Sequence, residues 1–195
     1  MNTIEIINKY YKPGSKAWFI LTEHSRAVRD FALDIAKKHP ELNADEQFIS
    51  EAAMLHDIGI FLTNAPSLQC FGDKPYICHG YLGRELIEKE GYPKHALVCE
   101  RHTGTGLSLE EITIQNLPIP HRDMLPVSIE EQIICFADKF FRKSKNLTKA
   151  QDINKVRDNL LKHGEVQLNR FNEWVEIFLF WPANSQENNN LSENM

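Results

Sequence analysis

Apolar side chains recur every three or four residues through most of this chain, which is the spacing of one face of an α-helix. No stretch alternates apolar and polar residues as a half-buried strand does, so we predict an all-α fold. Asp45 is placed as a helix N-cap, and Ser128 with Glu131 reads as a capping box. The predicted helices span residues 3–11, 22–39, 79–90, 93–102, 128–145, 152–163 and 166–181, and a further helix follows Asp45 with Phe48, Ile49, Ala52 and Leu55 in phase.

The same patterns indicate one domain. We expect it to occupy residues 1–182, with a core at 22–145 against which the C-terminal helices pack. Residues 60–78 and 107–126 contain several Pro or Gly residues and no clear period, so both are predicted to be loops. Residues 183–195 are rich in Asn, Ser, Glu and Gln, and we predict a disordered tail there.

Histidine and aspartate side chains stand on the predicted buried faces of five helices. His24 precedes Val28 by four residues, and His56 follows Ala52 by four, so both point inward with the apolar stripe. An unpaired polar group in a core costs about 1–3 kcal/mol, and an ion costs more. Five helices that share this feature indicate a bound cation. The residues are His24, His56 with Asp57, His79, His102 and Asp138.

The composition of this group predicts the kind of metal site. Imidazole and carboxylate without thiolate is typical of a catalytic site, and we expect Fe or Mn, with Zn, Ni, Co and Mg as alternatives. Four histidines and two aspartates are too many ligands for one ion with open positions. We therefore predict two divalent ions that share a carboxylate. Asp57 is the candidate bridge, because His56 ties it to one ion while its second oxygen stays free.

The order His24, His56-Asp57, Asp138 resembles the HD-domain superfamily of metal-dependent phosphohydrolases. The intervening His79 and His102 resemble its dinuclear branch, and Ile58-Gly59 matches the subgroup written HDIG. The resemblance covers roughly residues 22–145. It implies a helical bundle in which one ion is held by four residues and the second by two residues and the bridge. The first ion would be held by His24, His56, Asp57 and Asp138. The second would be held by His79 and His102, with Asp57 as the bridge.

The resemblance implies hydrolysis of a phosphoester or phosphoanhydride of a nucleotide or other small phosphorylated metabolite. Cyclic dinucleotides are disfavoured as substrates for two reasons. Ile60 stands where the hydrolases of these compounds carry lysine, and Leu82 follows Gly80-Tyr81 where they carry a Gly-Tyr-Pro motif. In the implied reaction, a water acidified by two cations attacks phosphorus in line. Beside Asp57, the candidates to steady the phosphate or leaving group are Arg122, Lys74 and Lys139. Residues that could line the pocket or bind oxygens are Thr103, Gly104 and His121.

Two other functions fit the same ligands. Some dinuclear HD proteins are di-iron oxygenases, which would act here on a small polyol or phosphonate. A non-catalytic sensor could also keep the fold, although no ligand of the set is missing here. Ligand spacing does not record the redox state of a metal, so it leaves the choice between hydrolase and oxygenase open.

Composition limits the partners and the compartment. The formal net charge is −5, which disfavours broad binding to a nucleic-acid polymer or an anionic membrane. The four cysteines are scattered, and Cys99 and Cys135 lie in apolar helical patterns, as reduced packing residues do. We expect a cytoplasmic protein with a small phosphorylated substrate, without a signal peptide or membrane span, and we leave a homodimer open.

Overall fold

The computed structural model describes residues 1–143 and 146–180, so the predicted tail at 183–195 lies outside the described residues. Within these two ranges the chain is mainly helical, which confirms the predicted all-α class. The nine α-helices found there are α1 (Thr3–Tyr10), α2 (Lys16–Lys38), α3 (Glu46–Leu55), α4 (His79–Lys89), α5 (Pro93–Arg101), α6 (Leu109–Ile114), α7 (Ile129–Asp138), α8 (Ile153–Leu161) and α9 (Glu165–Val175).

The largest hydrophobic core lies between α2, α3 and α7. Val28, Ile49 and Ile134 from these three helices are fully buried in it. The C-terminal helix α9 closes one side, where Phe171 stacks on Phe136 with ring centroids 5.1 Å apart. Burying these side chains removes enough apolar surface from water to hold the three central helices together. The bundle thus fixes the relative positions of the buried ends of α2, α3 and α7.

Two helices differ from the prediction because of their caps. Helix α2 begins six residues early, at Lys16, since the Ser15 side chain accepts a hydrogen bond from the Trp18 amide at 3.2 Å. Helix α7 ends at Asp138 and not near residue 145. After it the amides of Phe140 and Phe141 donate to the carbonyl three residues earlier, and the carbonyls of Lys139 and Phe140 accept hydrogen bonds from Gln151.

The predicted capping box at the start of α7 is only half formed. The Ser128 hydroxyl accepts from the Glu131 amide, but the Glu131 carboxylate binds Arg101 and the Val127 amide instead of the Ser128 amide. A complete capping box occurs in the region 107–126, which was predicted to be a loop. Ser108 and Glu111 exchange both hydrogen bonds and start the short helix α6, so that prediction was wrong there.

The segment between α3 and α4 is compact. It consists of short 3₁₀ turns and two antiparallel two-residue strands, β1 (Asn64–Ala65) and β2 (Cys70–Phe71), paired in the register Asn64 to Phe71. The last turn of the segment is Tyr76–Cys78, and it leads directly into α4. The predicted loop is therefore an ordered connection that ends beside the first residue of α4.

None of the described helices combines the length and the apolar character needed to cross a lipid bilayer.

Candidate metal centre

Four side chains from α2, α3 and α7 meet at one point in the bundle. His24 lies in α2, His56 and Asp57 directly follow α3, and Asp138 is the last residue of α7. The His24 Nε2 atom is 3.2 Å from Asp57 Oδ2 and 3.0 Å from Asp138 Oδ1. The His56 Nε2 atom is 3.3 Å and 3.5 Å from the same two oxygens. All four residues are buried, and we call them cluster A.

A second group shares Asp57. His79, the first residue of α4, and His102, which follows α5, place their Nε2 atoms 3.4 Å and 3.2 Å from Asp57 Oδ1. We call Asp57, His79 and His102 cluster B; its three residues are buried. The two oxygens of Asp57 therefore face different clusters, Oδ2 toward cluster A and Oδ1 toward cluster B. Two buried His/Asp clusters that share one aspartate are consistent with a dinuclear metal site.

The backbone orients three of the imidazoles. The Nδ1 atoms of His56, His79 and His102 lie 2.6–2.7 Å from the carbonyl oxygen three residues earlier, at Ala53, Tyr76 and Cys99. A carbonyl can only accept, so Nδ1 carries the proton and donates it. This fixes the tautomer of the neutral ring and turns the Nε2 lone pair toward the cluster, as in most metal-binding histidines.

Cluster B gives the sharpest evidence that a cation fits. The Nε2 atoms of His79 and His102 face each other at 3.0 Å. Burial lowers the pKa of both imidazoles, that of His79 to about 3, so both rings are neutral. With Nδ1 protonated, each Nε2 presents a lone pair to the other, and no proton joins them. A cation between these atoms and Asp57 would satisfy all of them.

Cluster A also contains buried polar atoms that a bound cation would satisfy. Within the described ranges, His24 Nε2, His56 Nε2 and Asp138 Oδ1 are buried and have no hydrogen-bond partner in suitable geometry. Yet Asp138 Oδ1 lies 3.0 Å from His24 Nε2 and 3.5 Å from His56 Nε2, separations expected of donors bound about 2.0–2.2 Å from one ion. The donor chemistry and the convergence of both clusters fit divalent metal ions.

The charges around the carboxylates explain their ionisation. Burial alone would raise the pKa of Asp57 and Asp138, but Lys143 and the histidines hold that of Asp57 well below its usual range, and Lys139 and Lys143 do so for Asp138. Burial lowers the pKa of His56, but the two carboxylates outweigh it and raise the value to about 9. A metal ion at cluster A would take the place of that proton.

Gly59 allows the two clusters to meet. A Cβ atom at this position would lie 2.2 Å from the His79 carbonyl oxygen and 2.5 Å from the Gly83 amide nitrogen. Both are backbone atoms, which cannot move aside cheaply. The glycine after the His-Asp pair therefore lets the start of α4 approach Asp57, which brings His79 into contact with it.

The sequence reasoning missed Lys143. Its ammonium nitrogen is 2.7 Å from Asp57 Oδ2 and 3.7 Å from Asp138 Oδ1. The sequence prediction continued the helix past Asp138. In such a helix Lys143, five positions after Asp138, would point to another face, so no contact with the cluster was expected. Because α7 ends at Asp138, the following chain carries Lys143 back to cluster A.

The other candidate residues are placed differently. Lys139 lies 2.8 Å from Asp138 Oδ2 and donates to the His102 carbonyl at 3.0 Å. The Arg122 guanidinium is bound to the buried carboxylate of Glu100, and Lys74 lies beside Asp73 on the surface. His121 is exposed. Their contacts with a substrate stay predictions.

The loop after His102 is held by α9. Thr103 and Gly104 line a cleft beside His79. The Thr105 amide, which could have bound a phosphate oxygen, donates to Gln167 Oε1 at 2.6 Å. The Gln167 amide group donates in turn to the Gly106 carbonyl at 2.8 Å. Gln167 and its loop were missed because the contact joins residues 62 positions apart in the chain.

The segment that contains both clusters matches a known protein family. The family described as HD domain matches residues 21–143, which include both clusters. The chain belongs to the HD domain family. This confirms the resemblance found in the sequence and the fold expected from it. The HD domain match ends at Lys143, so α8 and α9 lie beyond it.

Several proteins are similar to this HD domain protein. An uncharacterized protein of Methanocaldococcus jannaschii is 31% identical over 146 residues, which cover 73% of this chain and 79% of the relative. The tRNA (cytidine(56)-2'-O)-methyltransferase of Thermoplasma volcanium is 29% identical over 170 residues, 87% of this chain and 45% of the relative. The tRNA (cytidine(56)-2'-O)-methyltransferase of Picrophilus torridus is 27% identical over 155 residues, which cover 79% of this chain and 41% of the relative.

The chain thus spans less than half the length of the two methyltransferases. No solved structure matches the chain significantly.

Proposed function

We propose that this HD domain protein is a phosphohydrolase that uses two divalent ions to cleave a phosphoester or phosphoanhydride of a small metabolite. One observation carries the proposal: the two oxygens of Asp57 face two separate buried donor clusters. When bound, such a pair of ions acidifies a water molecule and neutralises charge on a phosphoryl group. Of the metals that imidazole and carboxylate donors bind, we propose iron or manganese.

The residues of the chain take distinct parts in this proposal. His24, His56 and Asp138 would hold one ion and His79 and His102 the other, with Asp57 shared by both clusters. The backbone carbonyls at Ala53, Tyr76 and Cys99 keep the imidazole lone pairs aimed at the ions. Burial excludes bulk water from these contacts, which strengthens each of them.

The lysines add positive charge where a phosphate would bind. Lys139 and Lys143 together balance the two aspartates of the centre. Ions that bind there would leave the centre with net positive charge, which favours an anionic substrate even though the chain carries a net charge of −5. The net charge of the chain disfavours a nucleic-acid polymer, so we propose a small substrate. We place the reaction in the cytoplasm, in keeping with the free cysteines.

A metal and substrate panel tests the proposal. The purified protein is assayed with nucleoside monophosphates, dinucleoside polyphosphates and sugar phosphates, each with Mn²⁺, Fe²⁺, Co²⁺, Ni²⁺, Zn²⁺ or Mg²⁺. We expect release of phosphate or a nucleotide that stops on addition of a chelator and returns with Mn²⁺ or Fe²⁺.

Two results would contradict the proposal. One is the absence of hydrolysis of every phosphorylated compound while the iron-loaded protein consumes oxygen with a polyol or phosphonate. That result would identify the di-iron oxygenase instead. The other is protein purified without chelator that binds none of the six metals, which would favour the sensor.

A further inference from the structure

The hydroxyl of Tyr11 is buried against the turn that follows the His-Asp pair. Tyr11 comes directly after helix α1, and it precedes the HD domain match, which starts at residue 21. Its hydroxyl donates a hydrogen bond to the Ile58 carbonyl at 3.0 Å and accepts one from the Phe61 amide at 3.0 Å. Both partners belong to the 3₁₀ turn Ile58–Leu62. A side chain from outside the matched segment therefore links two backbone groups of this turn.

Aromatic contacts fix the position of Tyr11. The Phe61 ring packs edge-on against Tyr11, with ring centroids 5.3 Å apart, and stacks on Tyr10 at 5.8 Å. The Tyr10 hydroxyl donates to Glu90 Oε1 at 2.8 Å, and Glu90 directly follows helix α4. Helix α1 is thus tied to the end of α4 as well as to the turn, so its last residues hold the turn in place relative to α4.

The position of this turn affects cluster B in two ways. Asp57 immediately precedes the turn, so the direction of its carboxylate follows the position of the turn. Gly59 lies inside the turn at the close approach to α4, where a Cβ atom would be 2.2 Å from the His79 carbonyl oxygen. The two groups bound by the tyrosine hydroxyl lie on either side of Gly59 in the sequence. Movement of the turn would therefore displace Asp57 relative to His79.

Cluster B should be more sensitive to such movement than cluster A. Its three donors are the imidazoles of His79 and His102 and the Oδ1 atom of Asp57, and that oxygen supplies its negative charge. Cluster A contains a second carboxylate, Asp138, beside two imidazoles. Loss of a group that orients a metal ligand lowers metal affinity by about 10- to 100-fold. A misplaced Asp57 would thus weaken ion binding mainly at cluster B.

We propose that Tyr11 is a positioning residue for the shared carboxylate of Asp57 and that its hydroxyl is required for tight binding of the ion at cluster B. This inference rests on the two-ion centre of the proposed function, but not on the reaction. Helix α1 thus contributes to the metal centre although it lies outside the HD domain match.

Tyr11→Phe tests the inference, because it removes one oxygen atom and keeps the ring beside Phe61. Calorimetry measures the affinities for Mn²⁺, and electron paramagnetic resonance distinguishes adjacent, coupled Mn²⁺ ions from isolated ones. We expect two coupled ions in the original chain. In Tyr11→Phe the first ion should bind as before and the second about tenfold more weakly or worse. At a Mn²⁺ concentration that fills both sites of the original chain, the variant should give the spectrum of isolated ions.

Two variants control for the chemical change and for stability. Tyr10→Phe removes the same atom from the neighbouring residue, whose hydroxyl binds Glu90 and not the turn, and should leave both affinities unchanged. Leu160→Ala removes buried apolar atoms on α8, so it should lower the midpoint of denaturation and leave both affinities unchanged.

Phe61→Leu tests the same link from the side of the turn. Phe61 is partly exposed, so this variant should fold even if Tyr11→Phe does not. Loss of the ring contact with Tyr11 should weaken binding of the second ion by about threefold or more. The double variant should lose less affinity than the product of the two single effects, because both changes act on one contact.

The outcomes separate this inference from the proposed function. Two coupled ions bound with unchanged affinity in Tyr11→Phe, or in Phe61→Leu if Tyr11→Phe does not fold, would overturn the role of Tyr11 and keep the hydrolase. An equal loss of affinity in Leu160→Ala would also overturn it, since stability alone would then explain the effect. Selective loss of the second ion, in a protein whose original chain hydrolyses no phosphorylated compound, would support Tyr11 and remove the hydrolase.

Discussion

Asp57→Asn is expected to abolish binding of both metal ions and to lower kcat/KM for any phosphorylated substrate more than 100-fold. An amide is neutral and has one oxygen and an NH₂ group, so both clusters lose their shared carboxylate and one of them also loses its oxygen donor. Loss of a group that merely orients a metal ligand costs about 10- to 100-fold, and Asp57 contacts both clusters directly. Metal content by elemental analysis and steady-state kinetics measure the two effects.

Asp34→Asn is the matched control, because Asp34 is an exposed aspartate on α2 that pairs with Lys38. It should keep two metal ions and the activity of the original protein. If Asp57→Asn retained two ions per chain and full activity, Asp57 would not be the bridge and the two-ion arrangement would be wrong.

Lys143→Met should destabilise the metal-free protein by about 3 kcal/mol and the metal-loaded protein much less. Removing one partner of a buried ion pair costs about 3–5 kcal/mol, and Lys139 still neutralises part of the charge on Asp138. In the metal-loaded protein, divalent cations take over the neutralisation of Asp57. Chemical denaturation of each variant, with chelator and with Mn²⁺, measures this difference.

Lys38→Met provides the comparison, since Lys38 is an exposed partner of Asp34 and its loss should cost less than about 1 kcal/mol in either state. We also expect Lys143→Met to bind Mn²⁺ more tightly, because the lysine ammonium no longer competes for Asp57 Oδ2. Equal destabilisation with and without metal would show that Lys143 has a packing role only.

Helical periodicity indicated that these polar residues face the core. His24, His56 and Asp138 each stand in phase with buried apolar residues, so their side chains had to point into one core. His79 and His102 were assigned in the same way, although they lie at helix ends. The contact of His79 with Asp57 also depends on the close approach at Gly59, which periodicity does not indicate.

Long-range contacts account for what the sequence did not reveal. Helix α7 ends at Asp138, where Gln151 donates to the carbonyls of Lys139 and Phe140, and no local pattern indicates this contact. Lys143 reaches cluster A only as a result. The cleft depends on α9 docking through Gln167 onto the loop after His102, a contact between segments whose own patterns are ordinary. Such contacts depend on how distant segments pack together, and the pattern of residues within one segment does not predict that packing.

The most direct test of the account is a crystal structure of the Mn²⁺-loaded protein with anomalous scattering, recorded for the original chain and for His79→Ala. The account predicts two anomalous peaks in the original chain, one on each side of the Asp57 carboxylate, and only the peak at His24, His56 and Asp138 in the variant. A single peak in the original chain, or peaks away from Asp57, would contradict it.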